Sequence, residues 1–237
     1  HPGIPVIVVG NISVGGTGKT PLVIRLAQIL RQQGLHPGVL SRGYEGECLQ
    51  HPRLVSAEDT ASFVGDEPLL IAQHVACPVV IDPVRVRGAA YLKETCGCDI
   101  ILCDDGLQHY ALERDIEIAV VDGERKFGNQ WLLPAGPLRE SVHRLKSVDF
   151  VIGNGKKVTE NAHVMSLLPG QLVNVKYPNQ TKSKDDIHQP VVAAAGIGNP
   201  DRFFNLLRTL GFRVKQTMAF SDHHHFEQRD LPDEWVV

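Results

Sequence analysis

The stretch Pro5-Val6-Ile7-Val8-Val9-Gly10-Asn11-Ile12-Ser13-Val14-Gly15-Gly16-Thr17-Gly18-Lys19-Thr20-Pro21 sets the reading of the chain. Its first five residues are apolar and mostly β-branched on both faces, which suits a central strand of a parallel sheet. A glycine-rich turn follows. Residues 21–33 then carry Val23, Leu26 and Leu30 at helical spacing and stop at Gly34, so they read as a helix. Strand, glycine loop and helix in that order open an α/β nucleotide-binding fold.

The alternation continues downstream. Residues 38–40, 78–81, 99–103 and 116–121 read as strands, and residues 67–75 and 84–95 as helices. The expectation is a doubly wound, mostly parallel sheet of the P-loop NTPase type with helices on both faces. Residues 155–190 are polar and hold Pro169-Gly170 and Pro178-Asn179, so they read as a linker or small β-ribbon. Residues 191–195, 202–210 and 212–218 then form a strand, a helix and a strand. The expected division is a nucleotide-binding lobe over residues 1–154, a connection over 155–189, and a second, smaller α/β lobe over 190–237.

Composition bounds what such a chain can do. Of 237 residues, 43% are hydrophobic and 22% charged, as in a folded domain rather than a disordered chain. A formal net charge of -3 supplies no global field for nucleic acid or an anionic surface, so any such partner needs a local patch. The five cysteines, Cys48, Cys77, Cys96, Cys98 and Cys103, form neither a disulfide framework nor a paired metal motif and read as small buried residues. No run reaches the ~20 apolar residues that cross a bilayer.

Chemistry concentrates in the loop. Gly18-Lys19-Thr20 supplies the end of the phosphate-binding pattern, with Ser13 where its first glycine is expected. Backbone amides of Ser13, Val14, Gly15, Gly16, Thr17 and Gly18 would cradle a triphosphate at a helix N-terminus. Lys19 would neutralise its terminal phosphates and Thr20 would ligate Mg²⁺. Asp104-Asp105-Gly106 closes an apolar strand, where carboxylates hold Mg²⁺ directly or through water.

Several further blocks look like one family. The opening stretch, Ser41-Arg42-Gly43-Tyr44, Gly65-Asp66-Glu67-Pro68, Asp104-Asp105-Gly106-Leu107-Gln108-His109-Tyr110, Leu133-Pro134-Ala135-Gly136-Pro137-Leu138-Arg139-Glu140, Ala195-Gly196-Ile197-Gly198 and Asp222-His223 resemble, in order, the tetraacyldisaccharide 4'-kinase family. The resemblance implies an enzyme that transfers the γ-phosphate of ATP to the 4'-hydroxyl of a tetraacyldisaccharide 1-phosphate, giving lipid IVA in lipid A biosynthesis. It implies a monomer on the cytoplasmic face of the bacterial inner membrane, held by an N-terminal apolar helix upstream of His1, and no nucleic-acid partner. It also implies a C-terminal lobe that continues past Val237.

The same resemblance gives Asp66 as the catalytic base and His223 as the histidine that pairs with it from the second lobe on closure. On residues alone, Asp66 reads as a helix N-cap rather than a base. Glu67 is expected in the surroundings of Mg²⁺ or at the helix start. Arg42 and Arg139 are candidates for anionic groups or for salt bridges. A zinc site built from Asp222, His223, His224 and His225 is disfavoured, because adjacent histidines point apart; His224 and His225 read as surface residues. Phe127, Trp131, Leu132 and Leu133 read as core, with contact to acyl chains as the rival. Outside this family, a nucleotide-switch ATPase or GTPase shares the loop, but such proteins carry a lysine where Val14 stands.

Overall fold

The structure is a computed structural model that describes residues 2–44, 46–177, 179–222, 224, 226–232 and 236–237. Strand β1 (Val6–Gly10) is buried on both faces throughout. Its alternation sends Ile7 and Val9 into one core layer and Val6 and Val8 into the other. Helix α1 (Lys19–Gln32) follows, and its Val23 and Ala27 close the first of those layers.

The next elements are β2 (Pro37–Ser41), β3 (Arg53–Leu54), α2 (Ala61–Val64), α3 (Asp66–His74), β4 (Val79–Ile81), α4 (Arg85–Glu94), β5 (Ile100–Asp104) and β6 (Ile116–Asp122). Two more strands, β7 (Phe150–Asn154) and β8 (His163–Met165), complete an eight-stranded sheet in the order β3-β4-β2-β5-β1-β6-β7-β8. All pairs in it are parallel except β3 with β4. Helices α1 and α3 cover one face, where Ile71 packs with Val39, Val79 and Leu102. Helix α4 covers the other, where Ala89 and Leu92 meet Leu40, Val80 and Ile101. Parallel strands covered on both faces must be largely apolar on both, which is why β1, β4 and β5 read as hydrophobic runs.

Strands β7 and β8 were not expected from the sequence. The run Phe150-Val151-Ile152-Gly153-Asn154 is short and half-exposed at its start, and β8 lies within a stretch whose polar texture reads as linker. Strand β8 extends the sheet beyond residue 154, and the first compact unit runs over His1–Leu167.

The second unit, Leu168–Val237, holds a short antiparallel ribbon, β9 (Leu172–Val173) with β10 (Thr181–Lys182). It also holds parallel β11 (Val191–Ala195) and β12 (Val214–Ala219), joined through α5 (Pro200–Thr209). Phe204 and Leu207 of α5 pack on Val191, Ala193 and Ala195. Asn199 caps the helix, its side chain accepting from the Arg202 amide, with Pro200 at the first helical position.

The cysteines split. Cys48, Cys98 and Cys103 are buried as expected, whereas Cys77 and Cys96 are only half-buried at the margins of the two core layers. Burial pushes the Cys77 thiol up to about 11, so it stays protonated and inert at neutral pH.

Leu102 sits fully buried in the middle of β5. Leu102→Ala should cost about 2–5 kcal/mol of stability, read as a lower urea midpoint with an unchanged slope.

Candidate active site

The loop between β1 and α1 is fixed from several sides before any ligand is considered. Asn11 Nδ2 donates to Thr17 Oγ1 at 3.2 Å, and Asn154 Nδ2 donates to the Thr17 carbonyl at 2.9 Å. Gln108 Nε2 donates to the Asn11 carbonyl at 2.9 Å and to Glu140 Oε1 at 2.6 Å. The Val14 amide donates to the Pro137 carbonyl at 2.8 Å, and Arg125 Nη2 donates to the Val14 carbonyl at 3.0 Å. Arg125 is brought there by a turn in which Asp122 Oδ1 accepts from the Glu124 and Arg125 amides.

Those contacts explain the departure at Ser13. Ser13 forms an antiparallel bridge with Leu138, and it is not among the residues with positive φ. Extended backbone does not require glycine, so serine fits. Gly15 and Gly18 do require it, with φ of 91° and 97°. A Cβ on Gly18 would also lie 2.4 Å from Asn154 Nδ2. Gly16 differs again: it has ordinary φ, and a Cβ there would meet nothing within 4 Å. The fold does not demand that glycine, and its bare backbone leaves room for a ligand to approach closely.

Gly18 stands at the cap position of α1, where no side chain caps the helix and its first turn carries no acidic residue. The partial positive charge of that terminus is therefore not offset locally. Lys19 and Thr20 are buried beneath the loop.

The two carboxylates at the end of β5 behave oppositely. Asp105 has φ 48°, a left-handed conformation that aspartate tolerates at modest cost. Its side chain lies 3.5 Å from Lys19 Nζ and accepts from Arg139 Nη1 at 3.1 and 2.9 Å. Burial alone would raise its pKa, but Lys19 and Arg139 outweigh that and hold it below the usual range. Arg139 is thus in a salt bridge.

Asp104 is 1% exposed, and neither carboxylate oxygen has a hydrogen-bond partner among the described residues. Burial, then the nearby charge of Glu67, pushes its pKa up to about 7; Lys19 opposes this, Asp105 adds to it and Arg85 opposes it. A buried carboxylate with empty lone pairs is costly by itself. A hard divalent cation would satisfy those oxygens, so the residues present fit Mg²⁺. No group of three or more His, Cys, Asp or Glu side chains converges among the described residues. Mg²⁺ does not need such a cage, since one or two carboxylates plus phosphate oxygens suffice.

Glu67 is half-buried near Asp104, and Asp66 is exposed. Gly65, not Asp66, occupies the helix cap: it has φ 93°, and a Cβ there would lie 2.7 Å from the Tyr44 carbonyl. Asp66 is the first residue of α3. The structure thus places Ser13–Thr20, Asp104, Asp105, Asp66 and Glu67 within the first unit. His223 lies outside the described residues, as does His225. His224 is not a bare surface residue: its ring stacks on Phe220 at 4.6 Å, and its Nε2 is 3.1 Å from Asp230.

Sequence reasoning missed Arg85 and Asn154. Arg85 is 2% exposed, its Nη2 donates to the Asp104 carbonyl at 2.9 Å, and its Nη1 has no partner among the described residues. Burial and then Arg85, Arg114 and Arg42 depress the pKa of His109, so this rim of the site is positive and the imidazole is neutral at pH 7. Asn154 ends β7 as Asp104 ends β5 and Asp122 ends β6. A polar residue closing an apolar run was the available signal. Trp131, Leu132 and Leu133 are 66%, 49% and 51% exposed, so the core reading of that stretch is wrong for these three. Only Phe127 packs on the core.

Comparison with known proteins points to one family. Residues 1–234 match the family model described as LpxK, tetraacyldisaccharide-1-P 4'-kinase. A tetraacyldisaccharide 4'-kinase of Pseudoalteromonas atlantica is 53% identical over 233 residues, covering 98% of this chain and 76% of its own length. One from Tolumonas auensis is 50% identical, covering 96% of this chain and 69% of its own. The solved structure of LpxK from Aquifex aeolicus in complex with ATP superposes with a TM-score of 0.76 at 28% identity, covering 99% of this chain and 76% of that one.

The raised pKa of Asp104 has a consequence for stability. The folded state binds this proton more readily than the unfolded one, so the metal-free protein loses stability as pH rises from the ordinary carboxylate range to about 7. With a chelator present, Asp104→Asn should raise Tm by several degrees at about pH 8 and by less at about pH 5. An equal change at both would contradict the assignment. By its family-model match, its identity to curated relatives and its likeness to a solved member, the chain belongs to the tetraacyldisaccharide 4'-kinase family.

Proposed function

We propose that the chain is the ATP-dependent kinase of lipid A biosynthesis that phosphorylates the 4'-hydroxyl of a tetraacyldisaccharide 1-phosphate. The observation that carries this reading is the loop itself: a Gly16 that neither backbone angle nor packing requires, at an uncapped helix start, with Lys19 buried beside it. The family and the ATP held by its Aquifex member support the same reading over a nucleotide switch.

The parts divide as phosphoryl transfer requires, namely a grip on phosphates, a positioned hydroxyl and a proton acceptor. Amides of residues 13–18 and the first turn of α1 bind the phosphates. Lys19, held by Asp105, is aimed at the terminal group, and Arg139 shares the charge of Asp105 so that Lys19 is not fully neutralised. Asp104 and the Thr20 hydroxyl are the residues that would hold Mg²⁺, with Glu67 near Asp104 and Asp105 turned toward Lys19 instead. When bound, that ion supplies neutralisation of charge on the phosphates. Asp66, at the start of α3 and exposed, accepts the hydroxyl proton; its proposed partner His223 comes from the family resemblance.

No described helix is long and apolar enough to cross a membrane. Association with the cytoplasmic face of the bacterial inner membrane, and action as a monomer, are part of the proposal.

The test is transfer of radiolabelled phosphate from ATP to the disaccharide lipid in detergent micelles. Asp66→Ala and His223→Ala should lower kcat by about 10²–10⁴-fold with ATP affinity nearly kept, whereas Lys19→Ala should damage both. ATP hydrolysis that is the same with and without lipid would overturn the kinase reading in favour of a switch.

A further inference from the structure

We infer that Trp131, Leu132 and Leu133 form a rigid wedge that seats in the interfacial layer of a lipid bilayer beside the phosphate loop. The inference rests on the lipid-kinase reading and names a surface that serves it.

Three large apolar side chains, consecutive and each about half exposed or more, need a reason. Looseness is not one, because the loop's backbone is satisfied internally. Leu133 N donates to the Leu138 carbonyl at 2.8 Å, Gly136 N to the Leu132 carbonyl at 3.0 Å, and Leu138 N to the Trp131 carbonyl at 3.1 Å. Asn129 ties the two limbs, accepting from the Trp131 amide and donating to the Ala135 carbonyl. Gly128 and Gly136 permit limbs so close that a Cβ would lie 2.8 Å from Pro137 and 2.1 Å from Asn129 Oδ1. Phe127 roots the segment in the core. A loop built this firmly could have turned polar side chains outward at no cost to its fold.

What covers the tip follows from its surroundings. Arg125, Lys126 and Pro137 share the lining of a cavity of about 200 Å³ with Ser13 and Thr17, which sets exposed cationic side chains at the base of the wedge. The chain carries a net charge of -3, so this positive flank is local. An apolar tip that includes a tryptophan, backed by basic residues, matches a bilayer interface with anionic headgroups. The wedge is also bonded to the phosphate loop through Val14 with Pro137 and Ser13 with Leu138. Seating it would fix the height of that loop over the surface in which an acylated substrate lies.

The chain has two tryptophans, so Trp235→Phe leaves Trp131 as the sole indole. That variant is mixed with phosphatidylcholine vesicles containing phosphatidylglycerol and brominated acyl chains, without ATP or substrate. Trp131 emission should shift to the blue and be quenched about twofold or more, and Leu133→Ser should weaken vesicle affinity about tenfold with Tm unchanged. Should Leu133→Ser fold poorly, Leu132→Gln offers the same comparison, and the quenching itself needs neither. Emission indifferent to vesicles would overturn the inference. So would a blue shift that grows with protein concentration in their absence, since a second copy would then cover the tip. Quenching in a protein that fails to phosphorylate the lipid would refute the kinase reading and leave the wedge standing.

Discussion

Asp105 lies between Lys19 and Arg139, and that three-charge contact decides what the carboxylate beside it can do. Two cations on one carboxylate leave net positive charge next to the loop, where phosphate would come. They also keep Asp105 ionised and engaged, so that the buried oxygens of Asp104, without a hydrogen-bond partner among the described residues, are the ones proposed for a cation. The adjacent aspartates are not a redundant pair. One holds a lysine, and the other is kept costly until something positive arrives.

The loop depends on its braces in the same way. Thr17 is held by Asn11, just past β1, and by Asn154 at the end of β7, while Val14 and Ser13 are tied to residues 137 and 138. Amides fixed in advance need little reorganisation when charge develops, which is where electrostatic catalysis gains most. The further chain of Gln108, Glu140 and Tyr110 extends that bracing, with Tyr110 donating to Glu140 at 2.5 Å and Arg144 3.3 Å from the same carboxylate. The side chains of residues 108 and 140 thus have a mechanical role in holding the loop.

Much of the first unit was legible because parallel strands covered on both faces are rich in apolar residues, as β1, β4 and β5 are throughout most of their length and β2 and β6 are at Val39-Leu40 and Ile118–Val121. Strand β8 was not, since His163-Val164-Met165 is short and largely exposed at the sheet edge. Within the site, residues that act by type and spacing were readable: the glycines, Lys19, Thr20 and the paired aspartates. The division of labour within the pair was hidden, because it depends on Arg139, more than thirty residues away in sequence. Arg85 and Asn154 were hidden for the same reason, as single side chains whose meaning comes only from what the sheet order sets beside them. The segment 131–133 misled in the opposite direction, since an apolar run with no period says nothing about which way it faces.

The most direct measurement is a crystal structure of the protein with Mg²⁺ and a non-hydrolysable ATP analogue. The account predicts phosphate oxygens within hydrogen-bond distance of the amides of residues 15–20, Lys19 Nζ at the terminal phosphate, and the metal facing Asp104 and Thr20. Phosphates bound away from this loop, or a metal held by Asp105 with Lys19 displaced, would contradict it.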